Sequence, residues 1–307
     1  MPAETVTIET KPKAAIRPEA SPWRIAVRRF NQNHLALAGL IILILMVVIC
    51  TFGPMISPYH LDDYKLSDKN LAPNAQYWLG TDKFGRDILL RTMLAGRISL
   101  TVGLVATFIS VVIGATLGAL AGFYRKGVDT IIMRIADIFM ALPTLPLLII
   151  LGAVLSDLKV DPKNRIYFLM LIIGVLSWTS LSRLVRGQIL TLREQEFMQA
   201  TEALGLRDRR KIFRHLLPNT IPTIIVTATL GVAGAIITES ALSYLGIGVV
   251  PPTPSWGNMI SAANNLIDFR KRPWIWVPPG MCILITVVAI NLIGDGLRDA
   301  LDPKMKK

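Results

Sequence analysis

The sequence predicts an all-α membrane protein with six transmembrane helices, and three observations lead there. Of its 307 residues 52% are hydrophobic, with a mean hydropathy of +0.50, more apolar side chain than a water-soluble core of that size uses. The apolar residues gather into six long runs that approach or exceed the roughly 20 residues a helix needs to cross hydrocarbon. The basic residues behind the net charge of +12 fall between those runs, not in one stripe interleaved with aromatics as nucleic-acid binding would want.

Residues 1–34 form an expected cytoplasmic tail. Lys11, Lys13, Arg17, Arg24, Arg28 and Arg29 precede any apolar run, so no cleavable signal peptide is expected and the first crossing stays attached. Pro2, Pro12, Pro18 and Pro22 favour a flexible tail, with Trp23–Asn33 able to lie as a short helix at the membrane surface. Residues 35–97 hold the first crossing, Leu35–Ile56, and an extracytoplasmic segment in which Asp62, Asp63, Asp68, Asp82 and Asp87 nearly balance six basic residues. Residues 98–296 form the core, with crossings at Ile98–Phe123, Ile131–Leu155, Ile166–Leu181, Ile221–Leu245 and Trp274–Ile293. A short cytoplasmic tail, 297–307, follows. An even number of crossings puts both termini on one side, and that side carries 21 of the 33 Lys and Arg residues. Basic residues are retained in the cytoplasm, so the termini are placed there.

Several positions inside the crossings stand out. Ala106, Ser110, Gly114, Gly118 and Gly122 recur every fourth residue and make a small-residue face suited to close helix packing. Pro143 and Pro146 each remove an intrahelical hydrogen bond, which predicts a kink or break near Leu142. Thr223, Thr227, Gly231, Ala235, Glu239 and Ser243 share one face of the fifth crossing. An ionisable side chain in hydrocarbon is costly, so Glu239, with Thr227, Gly231 and Ser243, either belongs to a pathway or gate or ties the helix to loop backbone or a neighbour. Arg134 and Asp137, three apart on a helix, are expected to form a structural ion pair. The compact polar end from Asp295 to Asp302 suits a helix cap or a partner contact.

Catalytic groups are not evident. His-Glu-x-x-His and Gly-x-Ser-x-Gly are absent, and His34, His60 and His215 are too scattered for a metal cluster. Cys50 and Cys282 both lie in apolar runs and read as packing residues. The phosphate-cradling Gly-x-x-x-x-Gly-Lys-Ser/Thr loop is also missing, so any ATP used would be bound by another chain.

The connection Arg183–Pro218 is long, basic and not of low complexity. It is expected to form two short helices: about Glu194–Leu204, ended by Gly205 in a left-handed turn, and about Arg207–Leu217, with Ile212, Phe213, Leu216 and Leu217 on its apolar side and Pro218 as its stop. Such a pair can lie on anionic lipid or dock into a groove of a soluble partner.

Within it, Gln199-Ala200-Thr201-Glu202-Ala203-Leu204-Gly205, then His215-Leu216-Leu217-Pro218, resembles the Glu-Ala-Ala…Gly…Ile-x-Leu-Pro signature of ABC importer permeases, departing at Gln199, Thr201 and His215. Further stretches resemble the C-type permeases of the oligopeptide/dipeptide/nickel branch. These are Leu79-Gly80-Thr81-Asp82-x-x-Gly85-Arg86-Asp87, Gly96-Arg97-Ile98-Ser99-Leu100, Glu239-Ser240-Ala241-Leu242-Ser243-Tyr244-Leu245-Gly246, Trp256-Gly257, and the run from Asn291 to Pro303.

The resemblance implies a type I ABC importer permease fold in a bacterial cell membrane, with no enzymatic activity and no cofactor on this chain. It implies a B-type permease partner, two ATP-binding subunits that hold ATP and magnesium, and an extracytoplasmic substrate-binding protein that delivers di- or oligopeptides. The site residues it implies are Gln199, Ala200, Thr201, Glu202, Ala203, Leu204, Gly205, His215, Leu217 and Pro218, which would couple the permease to the ATPases. Nickel or another small solute would suit the same type of complex. A proton-coupled secondary transporter, with Glu239 and Asp137 as a relay, is the rival class.

Overall fold

The computed structural model describes residues 22–61 and 63–302. Most of the expected flexible tail, including Lys11, Lys13, Arg17, Pro2, Pro12 and Pro18, lies outside the described residues, as do Asp62 and Pro303. The described residues are helical and loop, with one isolated bridge between Thr81 and Asp87. Five helices are long and apolar enough to span a membrane, or six crossings when a pair bent by 84° is taken as one.

Helix α1 (Pro22–Gln32) is amphipathic and precedes α2 (His34–Ile56). The Asn33 side chain caps α2 by accepting from the Ala36 N–H at 3.1 Å. The Arg29 guanidinium donates to the carbonyl of Asp302 at 3.1 Å, so the two ends of the described chain meet on one face, as an even number of crossings requires.

Helix α3 (Ile88–Tyr124) starts ten residues before the expected crossing. Arg91 and Arg97 interrupt the apolar run, yet both are accommodated inside. Asp82 accepts from the N–H groups of Phe84 (2.8 Å) and Arg86 (3.0 Å) and pairs with the Arg86 side chain at 2.7 Å, while Arg91 lies 3.8 Å from it. Arg97 answers a different need. Pro54 lacks an N–H and leaves the Cys50 carbonyl without its helical donor; Arg97 Nε supplies one at 2.9 Å and a second nitrogen reaches the Thr51 carbonyl. Before α3, the buried Tyr77 hydroxyl is pushed up to about 12 by burial and its hydrogen bond to Asp68. Burial likewise raises Asp87, the α3 cap, against the lowering effect of the Leu90 and Leu89 N–H groups.

The third crossing is broken where expected. Helix α4 (Lys126–Ala141) and α5 (Thr144–Asp157) meet at the extended Leu142 and Pro143, because Pro146 cannot donate to the Leu142 carbonyl and Pro143 disfavours helical backbone at Leu142. Helix α6 (Pro162–Leu176) and α7 (Trp178–Arg193) follow, jointed at Ser177. Helix α7 extends past the expected end at Leu181, so Arg183–Arg193 belongs to a helix and not to the loop. The apolar stripe Leu181, Val185, Ile189 holds it against α3.

The loop itself carries α8 (Glu196–Ala203), shorter than Glu194–Leu204. The expected second helix does not stop at Pro218. It continues as α9 (Asp208–Tyr244) through a π turn at Lys211–Leu216, where the Leu217 N–H reaches back to the Ile212 carbonyl. A π turn leaves room beside the proline ring that would otherwise strike the preceding turn. Ile212 and Leu216 are buried, but Phe213 is 43% exposed rather than part of the packed side. After α10 (Trp256–Ile260) and α11 (Leu266–Lys271), α12 (Pro273–Leu301) carries the polar residues from Asp295 onward as ordinary helix.

The glycine stripe of α3 packs α7. A Cβ at Gly114 would sit 2.8 Å from the Trp178 carbonyl oxygen, one at Gly122 would sit 2.8 Å from Ile189 Cβ, and one at Gly118 would strike the Ser182 carbonyl. Gly118→Leu is therefore expected to lower the unfolding midpoint of the detergent-solubilised protein, at about 1–3 kcal/mol for overpacking. Gly187→Ala, inside α7 where an added Cβ meets nothing within 4 Å, is expected not to lower it and to raise it slightly; equal midpoints for the two variants in a thermal unfolding assay would refute this account.

Candidate functional site

Three places stand out: two bury polar groups between helices, and the third is a short helix with one packed and one exposed flank. The first is built around Glu239 on α9, fully buried. Its carboxylate accepts from Ser99 of α3 at 2.8 Å and from Ser243, one turn on, at 2.7 Å, with Ser240 at 3.4 Å. Each main hydroxyl is itself an acceptor: Ser243 Oγ takes the Val249 N–H at 2.9 Å, and Ser99 Oγ takes the Trp256 N–H at 3.3 Å. A hydroxyl has one proton, so two relays run from backbone N–H through serine to carboxylate. They fasten the loop after α9 and the start of α10 to α3. The Trp256 ring closes the arrangement, donating from Nε1 to the Thr92 carbonyl at 3.0 Å.

The second is a cavity of about 280 Å³ between α3, the α6–α7 joint and α9. Thr107, Ser110, Ser177, Ser180, Thr227 and Gly231 line it. The Thr107 hydroxyl is buried with no partner among the described residues, and the cavity, apolar over most of its wall with these hydroxyls set into it, is roomy enough for water. The expected pathway residues are thus divided: Thr227 and Gly231 face the cavity, whereas Glu239 and Ser243 form the buried relay. Thr223, one turn below Thr227, receives Gln188 Nε2 at 2.5 Å.

The third is α8. Met198, 1% exposed, anchors it in a cluster with Val185 and Ile189 of α7 and Ile212 and Leu216 of α9, and the Thr201 hydroxyl is turned inward to the Met198 carbonyl at 2.7 Å. The opposite flank presents Gln199, Ala200, Glu202, Ala203 and Leu204, the last 77% exposed. Gly205 ends the helix at φ +65°. His215 and Leu217 are half-buried and Pro218 is exposed. Arg134 lies 3.9 Å from Asp137, but the closer partner of Asp137 is Arg183 of α7.

Reading for polar residues within single runs missed Ser99, Thr107, Ser177 and Ser180. Only Ser99 carried a signal, lying in a family-like stretch; the others are ordinary small residues until three helices meet.

Glu239→Gln places an amide donor between two hydroxyls whose protons already point inward. It is expected to destabilise by about 1–3 kcal/mol, read as a lower unfolding midpoint, and Glu239→Ala by at least as much. A Gln variant as stable as the parent would contradict the relay.

Comparison with known proteins places the chain. A family profile described as binding-protein-dependent transport system inner membrane component matches residues 114–307, and one described as the N-terminal TM domain of oligopeptide transport permease C matches residues 21–73. The oligopeptide transport system permease protein OppC of Bacillus subtilis is 41% identical over 287 residues, covering 94% of this chain and 91% of that protein. The dipeptide transport system permease protein DppC of Alkalihalophilus pseudofirmus is 41% identical over 286 residues, 93% and 91% of the two chains. The glutathione transport system permease protein GsiD of Pectobacterium atrosepticum is 37% identical over 287 residues, 93% and 92%.

Proposed function

Because this chain belongs to the family of binding-protein-dependent transport system inner membrane components, we propose a specific division of labour for it. The chain is the transmembrane permease subunit of an ATP-driven importer and not an enzyme. Its cargo is short peptides, the class named for its oligopeptide, dipeptide and glutathione relatives. It works with a B-type permease, two ATPase subunits that hold ATP and magnesium, and an extracytoplasmic binding protein. Both termini and α8 lie in the cytoplasm, where the basic residues concentrate.

The observation that carries this reading is the two-sided construction of α8. One flank is rooted through Met198 and Thr201 in the packing of α7 and α9, and the other, Gln199, Ala200 and Glu202 to Leu204, is bare. A short helix held this way transmits a push received on its bare flank to the helices behind it. Helix α7 then reaches the cavity through Ser180 and the preceding Ser177, so closure of the ATPase pair moves the cavity wall and switches the permease between its two open states. Neutral hydroxyls suit hydrated peptide groups. A proton relay through Glu239 and Asp137 is not supported: Glu239 is held by serines, Asp137 by Arg183 and Arg134, and no contact among the described residues joins the two networks.

Gly205 tests the lever. A β-branched side chain at its positive φ costs about 1–3 kcal/mol of backbone strain, and the space at Cβ is open, with nothing within 4 Å. Gly205→Val is expected to leave the assembled complex hydrolysing ATP while peptide uptake into proteoliposomes falls sharply. Uptake equal to the parent would remove α8 from the coupling role.

A further inference from the structure

Helix α4 is weakly rooted for a membrane element. Its buried residues are Ile132 and Ala136, which pack on Trp178 and Ala121, while Ile131, Ile135 and Ile138 are exposed. What joins it to α7 is a series of ion pairs. Arg125 pairs with Glu194 just before α8. Asp129 takes both Nε and Nη2 of Arg186, at 2.5 and 2.6 Å, and Asp137 pairs with Arg183. Just ahead of α4, Arg193 also donates to the Phe123 carbonyl at the end of α3. Along α4 the charges read positive, negative, negative; along the antiparallel α7 side they read negative, positive, positive. Sliding α4 toward α8 would bring Asp129 to Glu194, so the pattern fixes one register. The bidentate Asp129–Arg186 pair is the most shielded of the series and resists both sliding and rotation.

The far limb is fastened elsewhere. Beyond the 84° break, α5 buries Leu148 and Gly152. Leu148 packs with Leu242 and Val249, and Gly152 lies so close to Ile247 that a Cβ would collide with that side chain. Ile247 and Val249 belong to the loop after α9, and the Val249 N–H is the one held by Ser243 and, through it, Glu239. The broken span therefore touches the α7–α8 corner at one end and the Glu239-anchored loop at the other.

We propose that α4 and α5 form a hinged strut through which the coupling segment acts on the loop beyond α9. Asp129, Asp137, Arg183 and Arg186 are the positioning residues that clamp its lower limb to α7. The inference rests on the coupling role given to α8 above and adds a second route for the same motion. Helix α7 moves the cavity wall directly, and the strut carries the displacement past the Leu142–Pro143 hinge to the opposite side of the membrane.

The test uses the complete importer in proteoliposomes, with ATP hydrolysis and uptake of a di- to pentapeptide library measured in parallel. Asp129→Asn and Arg186→Gln are each expected to keep hydrolysis within about twofold while uptake falls roughly tenfold. The exchange Asp129→Arg with Arg186→Asp is expected to recover at least about half of the uptake. A merely structural pair would lower assembly, hydrolysis and uptake together. Single variants that retain uptake overturn the proposal, as does an exchange no better than either single change. If the single variants fail to assemble, the exchange decides: assembly and uptake restored together support the strut, and assembly restored without uptake overturns it. Uptake by the unsubstituted complex that needs no ATP is a different failure, that of the coupling reading itself.

Discussion

The contact on which the rest of the molecule depends is the seating of α7 on the glycine face of α3. Gly114, Gly118 and Gly122 let the two backbones approach until α7 carbonyls and side chains occupy the space a Cβ would need. In lipid there is no hydrophobic gain from burying one apolar helix against another, so close van der Waals contact between small residues supplies much of the attraction. This seat places Ser177 and Ser180 at the cavity, carries α8 at its other end, and turns Arg183 and Arg186 toward α4. A close-packed helix pair is stiff, which is what the lever role proposed for α8 requires.

Around that shaft the fold resolves a recurring membrane problem, the polar group that cannot reach water. Pro54 frees a carbonyl and Arg97, from the neighbouring helix, donates to it. Pro218 is accommodated by a π turn. Glu239 is enclosed by serine hydroxyls that are themselves supplied with backbone N–H groups. At Pro218 the adjustment stays within the helix, but at Pro54 and Glu239 a group from α3 supplies the need, so local irregularity becomes a tertiary fastening. The buried carboxylate thereby links the loop after α9 to α3.

Hydropathy and periodicity carried the membrane class, the six crossings and the break near Leu142, because each follows from the composition of one segment: long apolar runs must face lipid, and prolines must interrupt hydrogen bonds. The positive φ of Gly205 was legible for the same reason, since a helix end needs a residue without a Cβ penalty. Segment composition misjudged the places where a charge inside a helix meets a partner. Arg91 and Arg97 hid the first turns of α3, and Arg183 and Arg186 hid the last turns of α7, because an arginine ends an apolar run in the sequence whether or not a carbonyl or carboxylate awaits it in space. Tertiary structure alone decided that Thr227 and Gly231 face a cavity while Glu239 and Ser243 do not. It also decided that Asp137 belongs with Arg183 more closely than with Arg134. A helix face is a local property, but what it meets depends on helices far away in the chain, and only their packing brings Ser99, Val249 and Trp256 to one carboxylate.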